Sequence, residues 1–319
     1  MSGNPRRDAA HTNPSHQRPT GADRASRPSR PRVSVVVPAL NEARNLRVIL
    51  PELIRVHPDL HEVVLVDGGS VDDTVATARE VLPDVRVLRQ TRKGKGNALA
   101  VGFAAVTGDV VVMFDADGSA DPAEIADFVA TLTAGADVAK GSRFRRGGGS
   151  DDITPLRRAG NAFLNGVMNS AFRTRHSDLC YGYNAFWADL LPLLDLPDPA
   201  LPPLPDGSMR WGDGFEIETV LACRFAAADL DVREVASVER LRIHGETNLR
   251  TFADGFRVLR TLAAERHRAR RTRFVVPTPP AARVEGPAAP ATGSSRTAGT
   301  QAPASAPACG QGHRSATAS

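Results

Sequence analysis

Apolar residues along the chain alternate between short β-branched runs and stretches in which they recur every three or four positions. Val33-Ser34-Val35-Val36-Val37 is a run of the first kind. It is ended by Pro38 and reads as a buried parallel strand. An amphipathic pattern through Leu46, Ile49, Leu50, Leu53 and Ile54 follows, which predicts a helix with Asn41 as its N-cap. Residues 62–66 repeat the strand signature and end in Asp67-Gly68-Gly69-Ser70, with Ser70 or Asp72 available to cap a helix over 74–81. Residues 85–88 form a short third strand. Lys93-Gly94-Lys95-Gly96-Asn97 opens an alanine-rich helix that ends near Val106, and 109–114 is a fourth strand. This alternation predicts an α/β fold built on a doubly wound, mostly parallel sheet.

Beyond Pro122 the pattern predicts a helix over 123–133 and a strand over 138–143 that also ends in polar residues. Arg145 to Asp152 reads as a mobile loop. A helix over 156–172 carries Leu156, Phe163, Leu164, Val167, Met168 and Phe172, read first as core packing and second as a face for a membrane interface. Residues 178–187 gather Tyr181, Tyr183, Phe186 and Trp187 in a chain that is only 5% aromatic. Residues 192–209 are Pro- and Leu-rich and read as an irregular loop. Gly212-Asp213-Gly214 opens a helix through Cys223. A late strand over 231–238, a polar loop over 240–249 and a helix over 251–268 complete the pattern.

Composition sets the limits of the domain. Residues 1–31 and 269–319 lack the large apolar side chains that offset the entropy of ordering, and read as a basic and a Pro/Ala/Ser-rich disordered tail. Residues 32–268 are then a single domain. The net charge of +4 comes partly from tail arginines and is read as solubilising, with no nucleic-acid partner expected. The three cysteines, Cys180, Cys223 and Cys309, have no metal or disulfide spacing, which points to a reducing compartment. No apolar stretch approaches the ~20 residues of a membrane span, and no apolar leader is evident. The expectation is a cytoplasmic protein, with peripheral contact at the inner membrane face left open.

The chemistry-bearing residues fall where strands end. Val110 to Phe114 stops abruptly at Asp115-Ala116-Asp117, and acids two apart on an extended backbone share a side. Pro38 to Glu42 and Asp67 to Asp72 also follow strands, and open α/β sheets bind ligands at that rim. There Asp67 and Asp115 can accept from base or ribose donors. Gly68, Gly69 and Gly96 permit close approach, and Lys93, Lys95 and Arg143 can neutralise phosphates. Asp117 can ligate Mg²⁺ or Mn²⁺, hard cations that take oxygen donors and bridge a diphosphate. No GxGxxG follows the first strand, which argues against a dehydrogenase.

Five stretches in order resemble the family 2 glycosyltransferases of GT-A fold, most nearly their dolichyl-phosphate mannose synthase-like, polyprenyl-phosphate branch. They are VSVVVPALNEARNL, VLVDGGSVDDT, KGKGNALAVGFAAVTGDVVVMFDADGSADP, GSRF and GDGFEIET, and the likeness spans about residues 33–255. It implies a metal-dependent enzyme that moves a sugar from a UDP- or GDP-sugar to a lipid phosphate. Pro38, Ala39, Leu40 and Glu42 match the segment that holds base and ribose, and Asp67 and Gly68 the base-facing turn. Asp115, Ala116 and Asp117 match the DxD motif, with Asp117 the more direct ligand. Arg143 and Arg242 match basic residues near the diphosphate.

Two departures bear on the acceptor. Ser119 stands where lipid-phosphate transferases commonly carry Gln, and His244 stands where that branch usually has an aromatic. In some relatives acting on small hydroxyl acceptors, a histidine near that place joins the metal shell, so His244 is a candidate third ligand. A phosphate acceptor is already anionic, whereas a hydroxyl acceptor of an inverting enzyme needs a base. Asp213 and Glu216, at the start of a helix after glycines, are the candidates for it. The alternatives are therefore transfer to a soluble hydroxyl acceptor, with retention among the outcomes, and a nucleotide-sugar binding protein without turnover.

Overall fold

The computed structural model describes residues 19–245 and 251–273. Residues 1–18 and 274–319, the greater part of the two segments assigned to tails, lie outside the described residues. So do 246–250, which include Glu246 to Leu249 of the polar loop.

The β-branched runs form the strands they predict, because an extended backbone buried on both faces favours such side chains. Strands β1 (Val33–Ala39), β2 (Glu62–Asp67), β3 (Arg86–Arg89), β4 (Val110–Met113), β5 (Val138–Ser142), β7 (Asn184–Trp187) and β8 (Val232–Ala236) make one sheet. Its order is β3-β2-β1-β4-β7-β5-β8. Strand β7 runs antiparallel to both β4 and β5, while every other pair is parallel. Two reversals cancel, so β5 and β8 point the same way as β1 to β4. Six strands thus deliver their carboxyl ends to one rim. A second, two-stranded sheet pairs β6 (Gly149–Ser150) with β9 (Val238–Glu239), so part of the stretch read as a mobile loop is built into the fold.

Helices α2 (Ala43–Val56), α3 (Thr74–Val81), α4 (Lys95–Ala105) and α5 (Ile125–Thr133) link the parallel strands. The core between them is Val35 to Val37, Leu46, Leu50, Leu53, Val64, Leu65 and Val110 to Val112, all out of solvent. Helices α6 (Pro155–Phe172), α7 (Ile217–Ala227) and α8 (Thr251–Arg273) share a smaller cluster of Leu164, Met168, Leu179, Cys223 and Leu262. Among the described residues no helix is long and apolar enough to cross a membrane.

Several expectations are corrected. Asn41 does not cap α2: its backbone is left-handed (φ 57°) and Glu42 is the N-cap. Asn41 instead joins two rim loops, accepting from Val71 N at 2.8 Å and donating its own N–H to Ser70 Oγ at 2.9 Å. On α6, Leu164 and Met168 pack inward but Leu156 and Phe163 face solvent. Residues 19–31, assigned to the disordered tail, form helix α1 (Gly21–Ala25) and dock on the body. Arg24 and Arg27 both reach the buried Asp137, at 2.6 and 2.8 Å, and Arg27 lies 5.1 Å over Trp187. A buried carboxylate needs such cations, and composition alone did not reveal it. At the other end α8 runs on to Arg273, past 268.

Strand β7 was not foreseen. Four buried residues without alternation carry no strand period. The aromatics in and before it interlock across the sheet: Tyr183 sits 4.6 Å from Phe128 and 5.6 Å from Phe114, and Phe186 lies 5.5 Å from Phe103.

Candidate active site

The rim begins where β1 and β2 end. Pro38 and Ala39 close β1, and the Ala39 carbonyl accepts from Gly68 N at 2.7 Å. A Cβ on Gly68 would stand 3.2 Å from Ala39 O and from Leu40 Cβ, so this glycine first serves the contact between the two loops. Asp67 is almost buried and receives the amides of Gly69 and Ser70, each at 3.1 Å, which stiffens the turn. Leu40 and Lys93 remain exposed. Beside them is a cleft of about 280 Å³ between Gly68-Gly69, residues 89–93 and the segment that includes Pro203 and Met209. The Pro-rich stretch therefore walls one side of the rim.

At the end of β4 the two acids of the Asp-Ala-Asp stretch take different partners. Asp115 lies 2.8 Å from Lys95 Nζ, whose other neighbour is Glu218 at 2.7 Å. Burial alone would push the Lys95 pKa down, but the two carboxylates outweigh it and hold Lys95 charged. Burial raises the Asp115 pKa, Lys95 opposes this, and the nearby Asp117 adds to it. Ala116 is buried between the acids. Asp117 accepts from the amide and hydroxyl of Ser119 and pairs with Arg242 at 3.1 Å. Arg242 also reaches Glu42 at 3.0 Å, and Glu42 bonds Asn45. Ile243 N donates to Asp117 O at 3.1 Å, so the loop after β9 closes over the acids. The site is thus two linked sets, Lys95–Asp115–Glu218 and Glu42–Arg242–Asp117.

The donor set fits a hard divalent cation in its chemistry. Two carboxylates on one short stretch, paired here with Lys95 and Arg242, would supply the oxygen donors that such a cation takes. His244 is not brought into that set. Among the described residues no three of His, Cys, Asp and Glu converge as metal ligands, and the tie from His244 is its carbonyl, which accepts from Asn45 at 3.2 Å.

Other candidates are placed away from open solvent. Asp213 is fully buried and bound to Arg92 through two hydrogen bonds of 2.7 and 2.9 Å. Glu216 accepts from the amides of Gly212 and Gly214, at 2.9 and 3.2 Å, and so pins the turn before α7. Neither presents a free carboxylate at the rim. Arg143 is held by Asp178 in two bonds of 2.7 and 2.8 Å and by Glu239 at 2.9 Å, so its charge is spent within the protein. Gly96 does not serve a ligand: a Cβ there would lie 1.9 Å from Gly212 O.

Two residues escaped the sequence reading, Arg92 and Glu218. Glu218 had a signal: the rest of α7 from Ile217 to Phe225 is buried, and an acid in such a helix requires a partner. Arg92, between Thr91 and Lys93, had none.

A GT-A-like, mostly parallel sheet with paired acids at the end of its central strand is the class these features define. The family model for glycosyl transferase family 2 matches residues 34–189. The chain is 34% identical over 184 residues to a polyprenol monophosphomannose synthase of Mycolicibacterium smegmatis, covering 55% of this chain and 69% of that one. It is 36% identical over 121 residues to a dolichol-phosphate mannosyltransferase of Pyrococcus furiosus, covering 37% of this chain and only 34% of that protein's length. In fold it resembles glucosyl-3-phosphoglycerate synthase from Mycobacterium tuberculosis, solved with Mn²⁺, UDP-glucose and phosphoglyceric acid. The TM-score is 0.58 at 22% identity, over 78% of this chain and 84% of that one. The chain belongs to glycosyl transferase family 2 and is a glycosyltransferase of GT-A fold.

Proposed function

We propose that the chain transfers a glycosyl group from a UDP- or GDP-sugar to a polyprenyl-phosphate acceptor, at the inner face of a membrane that it touches peripherally from the cytoplasm. The observation that carries the choice of acceptor is the state of Asp213 and Glu216. One is spent on Arg92 and the other on backbone amides. An acceptor that needs no base suits such a site, and a phosphate is already a nucleophilic anion. The curated relatives point the same way.

In this reading the nucleoside rests on Pro38, Ala39, Leu40, Glu42 and the Asp67–Gly68 turn, with Lys93 at its edge. Asp117, with Asp115, would hold Mg²⁺ or Mn²⁺, which when bound neutralises charge on the leaving nucleoside diphosphate. Lys95 stands beside Asp115 as a fixed cation, positioned without reorganisation as negative charge builds on the leaving group. Arg242 can turn from Asp117 toward a phosphate while Glu42 keeps it on the rim. The catalytic unit is residues 32–268, extended by the docked segment from 19 and by α8 to 273.

A screen of UDP- and GDP-sugars with Mn²⁺, with and without polyprenyl phosphate, tests this. Lipid-dependent transfer is expected, with Asp117→Ala abolishing it. Undiminished turnover in that variant would sink the metal assignment. Transfer to a soluble hydroxyl acceptor alone would replace the lipid reading.

A further inference from the structure

Lys95 is the first residue of α4, and its backbone is fixed against the turn that precedes α7. Its two neighbours, Gly94 and Gly96, approach that turn so closely that a Cβ on either would run into the backbone oxygen of Asp213 or Gly212. Two main-chain bonds cross the same junction, from Asn97 N to Asp213 O at 3.0 Å and from Gly96 N to Gly214 O at 3.3 Å. Glu218 follows in the first turn of α7. Lys95 and Glu218 therefore belong to one rigid unit, two helix starts locked together.

Asp115 comes from elsewhere, the end of β4. Lys95 Nζ lies 2.7 Å from Glu218 Oε1 and 2.8 Å from Asp115 Oδ1, but the two carboxylates differ in their surroundings. The Glu218 side chain is 12% exposed and that of Asp115 is 37% exposed. Among the described residues Glu218 has no other cationic partner. The three groups meet beside Gly182, where a Cβ would stand 3.3 Å from Glu218 Oε1 and from Lys95 Nζ and 3.5 Å from Asp115 Oδ2. That position carries no side chain to crowd them.

A cation that drew Asp115 away would strand the Lys95 ammonium if Asp115 were its sole partner, and a largely desolvated charge left alone is costly. A second carboxylate, held in place by the junction of α4 and α7, removes that cost.

We propose that Glu218 is a positioning residue that acts through Lys95: it is the standing counter-ion of the ammonium, which makes Asp115 the exchangeable one, free to turn to a divalent cation. This role rests on the reading of Asp115 and Asp117 as the acids for Mg²⁺ or Mn²⁺. Two effects follow from one origin. Asp115 is easier for a cation to win, because the ammonium is shared between two carboxylates. Lys95 also keeps its place at the rim after Asp115 has turned, as a fixed cation facing developing charge must.

The test is titration of the full chain with Mn²⁺ alone, with the free ion followed by electron paramagnetic resonance and folding checked by urea unfolding. Glu218→Gln keeps the shape and an acceptor for Lys95 but drops the charge. It should weaken Mn²⁺ binding by about tenfold or more. Glu218→Asp keeps the charge and should bind Mn²⁺ nearly as wild type does, which tests the proposal even where the Gln variant does not fold. In a Lys95→Met background, Glu218→Gln should lose its effect, since no ammonium remains to be held. Unchanged Mn²⁺ affinity in Glu218→Gln, a tenfold loss in Glu218→Asp, or an equal weakening in the Lys95→Met background overturns the proposal. The last result would mean that Glu218 acts on the cation by its own field. Failure of the underlying reading looks different: wild type would take up no Mn²⁺, or Asp117→Ala would take it up as well as wild type, and the proposal would fall with it.

Discussion

Arg92 and Asp213 meet in a bidentate pair, Nε to Oδ2 at 2.7 Å and Nη2 to Oδ1 at 2.9 Å, with both side chains out of solvent. The third nitrogen, Nη1, donates to the carbonyls of Asp198 and Leu201 at 2.9 and 2.8 Å. One guanidinium thus ties the loop after β3, the Pro-rich segment and the turn before α7.

Removing either partner leaves a buried charge alone, which costs about 3–5 kcal/mol. Arg92→Ala and Asp213→Ala should lower the urea midpoint by that order, and the double variant should lose less than the sum. Asp213→Asn separates structure from chemistry. Its kcat per folded molecule should stay near wild type; a loss of a hundredfold or more there would restore Asp213 as a base.

Lys95 stands between Asp115 and Glu218, at 2.8 and 2.7 Å. Lys95→Met should reduce kcat by about 10²–10³, as expected when a fixed group that stabilises developing charge is removed. Steady-state kinetics with folding checked by circular dichroism would show it. A rise confined to KM would mean that Lys95 only binds the donor.

Gly96 touches the backbone of Gly212 so closely that a Cβ would lie 1.9 Å from its oxygen, and backbone cannot swing aside. Gly96→Ala should destabilise by roughly 3 kcal/mol or more, or prevent folding. Gly160→Ala, in open space on α6, is the control and should be neutral or stabilising by up to about 1 kcal/mol. Thermal unfolding of the two variants side by side checks the contrast.

Burial, with the Lys140 cation adding to it, pushes the His176 pKa down from 6.5 to about 4. The unfolded chain therefore binds the proton more readily. The contribution is fully present above pH 6.5 and is lost as the pH falls from there toward 4. Between pH 7 and pH 5 it amounts to about 2 kcal/mol. Urea unfolding of wild type against His176→Phe at both pH values measures it, since other groups titrate alike in both. An equal pH slope in the two proteins would show that His176 is not held neutral.

Much of the fold was legible because its signals are local. A buried parallel strand needs a continuous β-branched run, and a helix on that sheet needs a repeat of three to four. Both are visible within ten residues, so β1, β2, β4 and the helices between them could be read off. So could the placement of Asp67, Asp115 and Asp117, because a strand's carboxyl end is where its apolar run stops. Strand β7 was hidden by its shortness, and α1 by the polarity of residues whose arginines find Asp137 far along the chain.

The partner of each charged side chain was decided by the tertiary structure alone. Arg92 and Asp213 are 121 residues apart, and nothing near either announces the other. Arg143 resembled a phosphate ligand until Asp178 and Glu239 enclosed it, and Glu216 resembled a base until its carboxylate turned back onto its own loop. By itself the sequence determined which residues reach the rim, since chain direction and hydrophobic period are properties of contiguous residues. Which of them remain free to meet a ligand was settled only by folding, because desolvation makes every buried charge find a counter-charge, and that choice depends on distance in space.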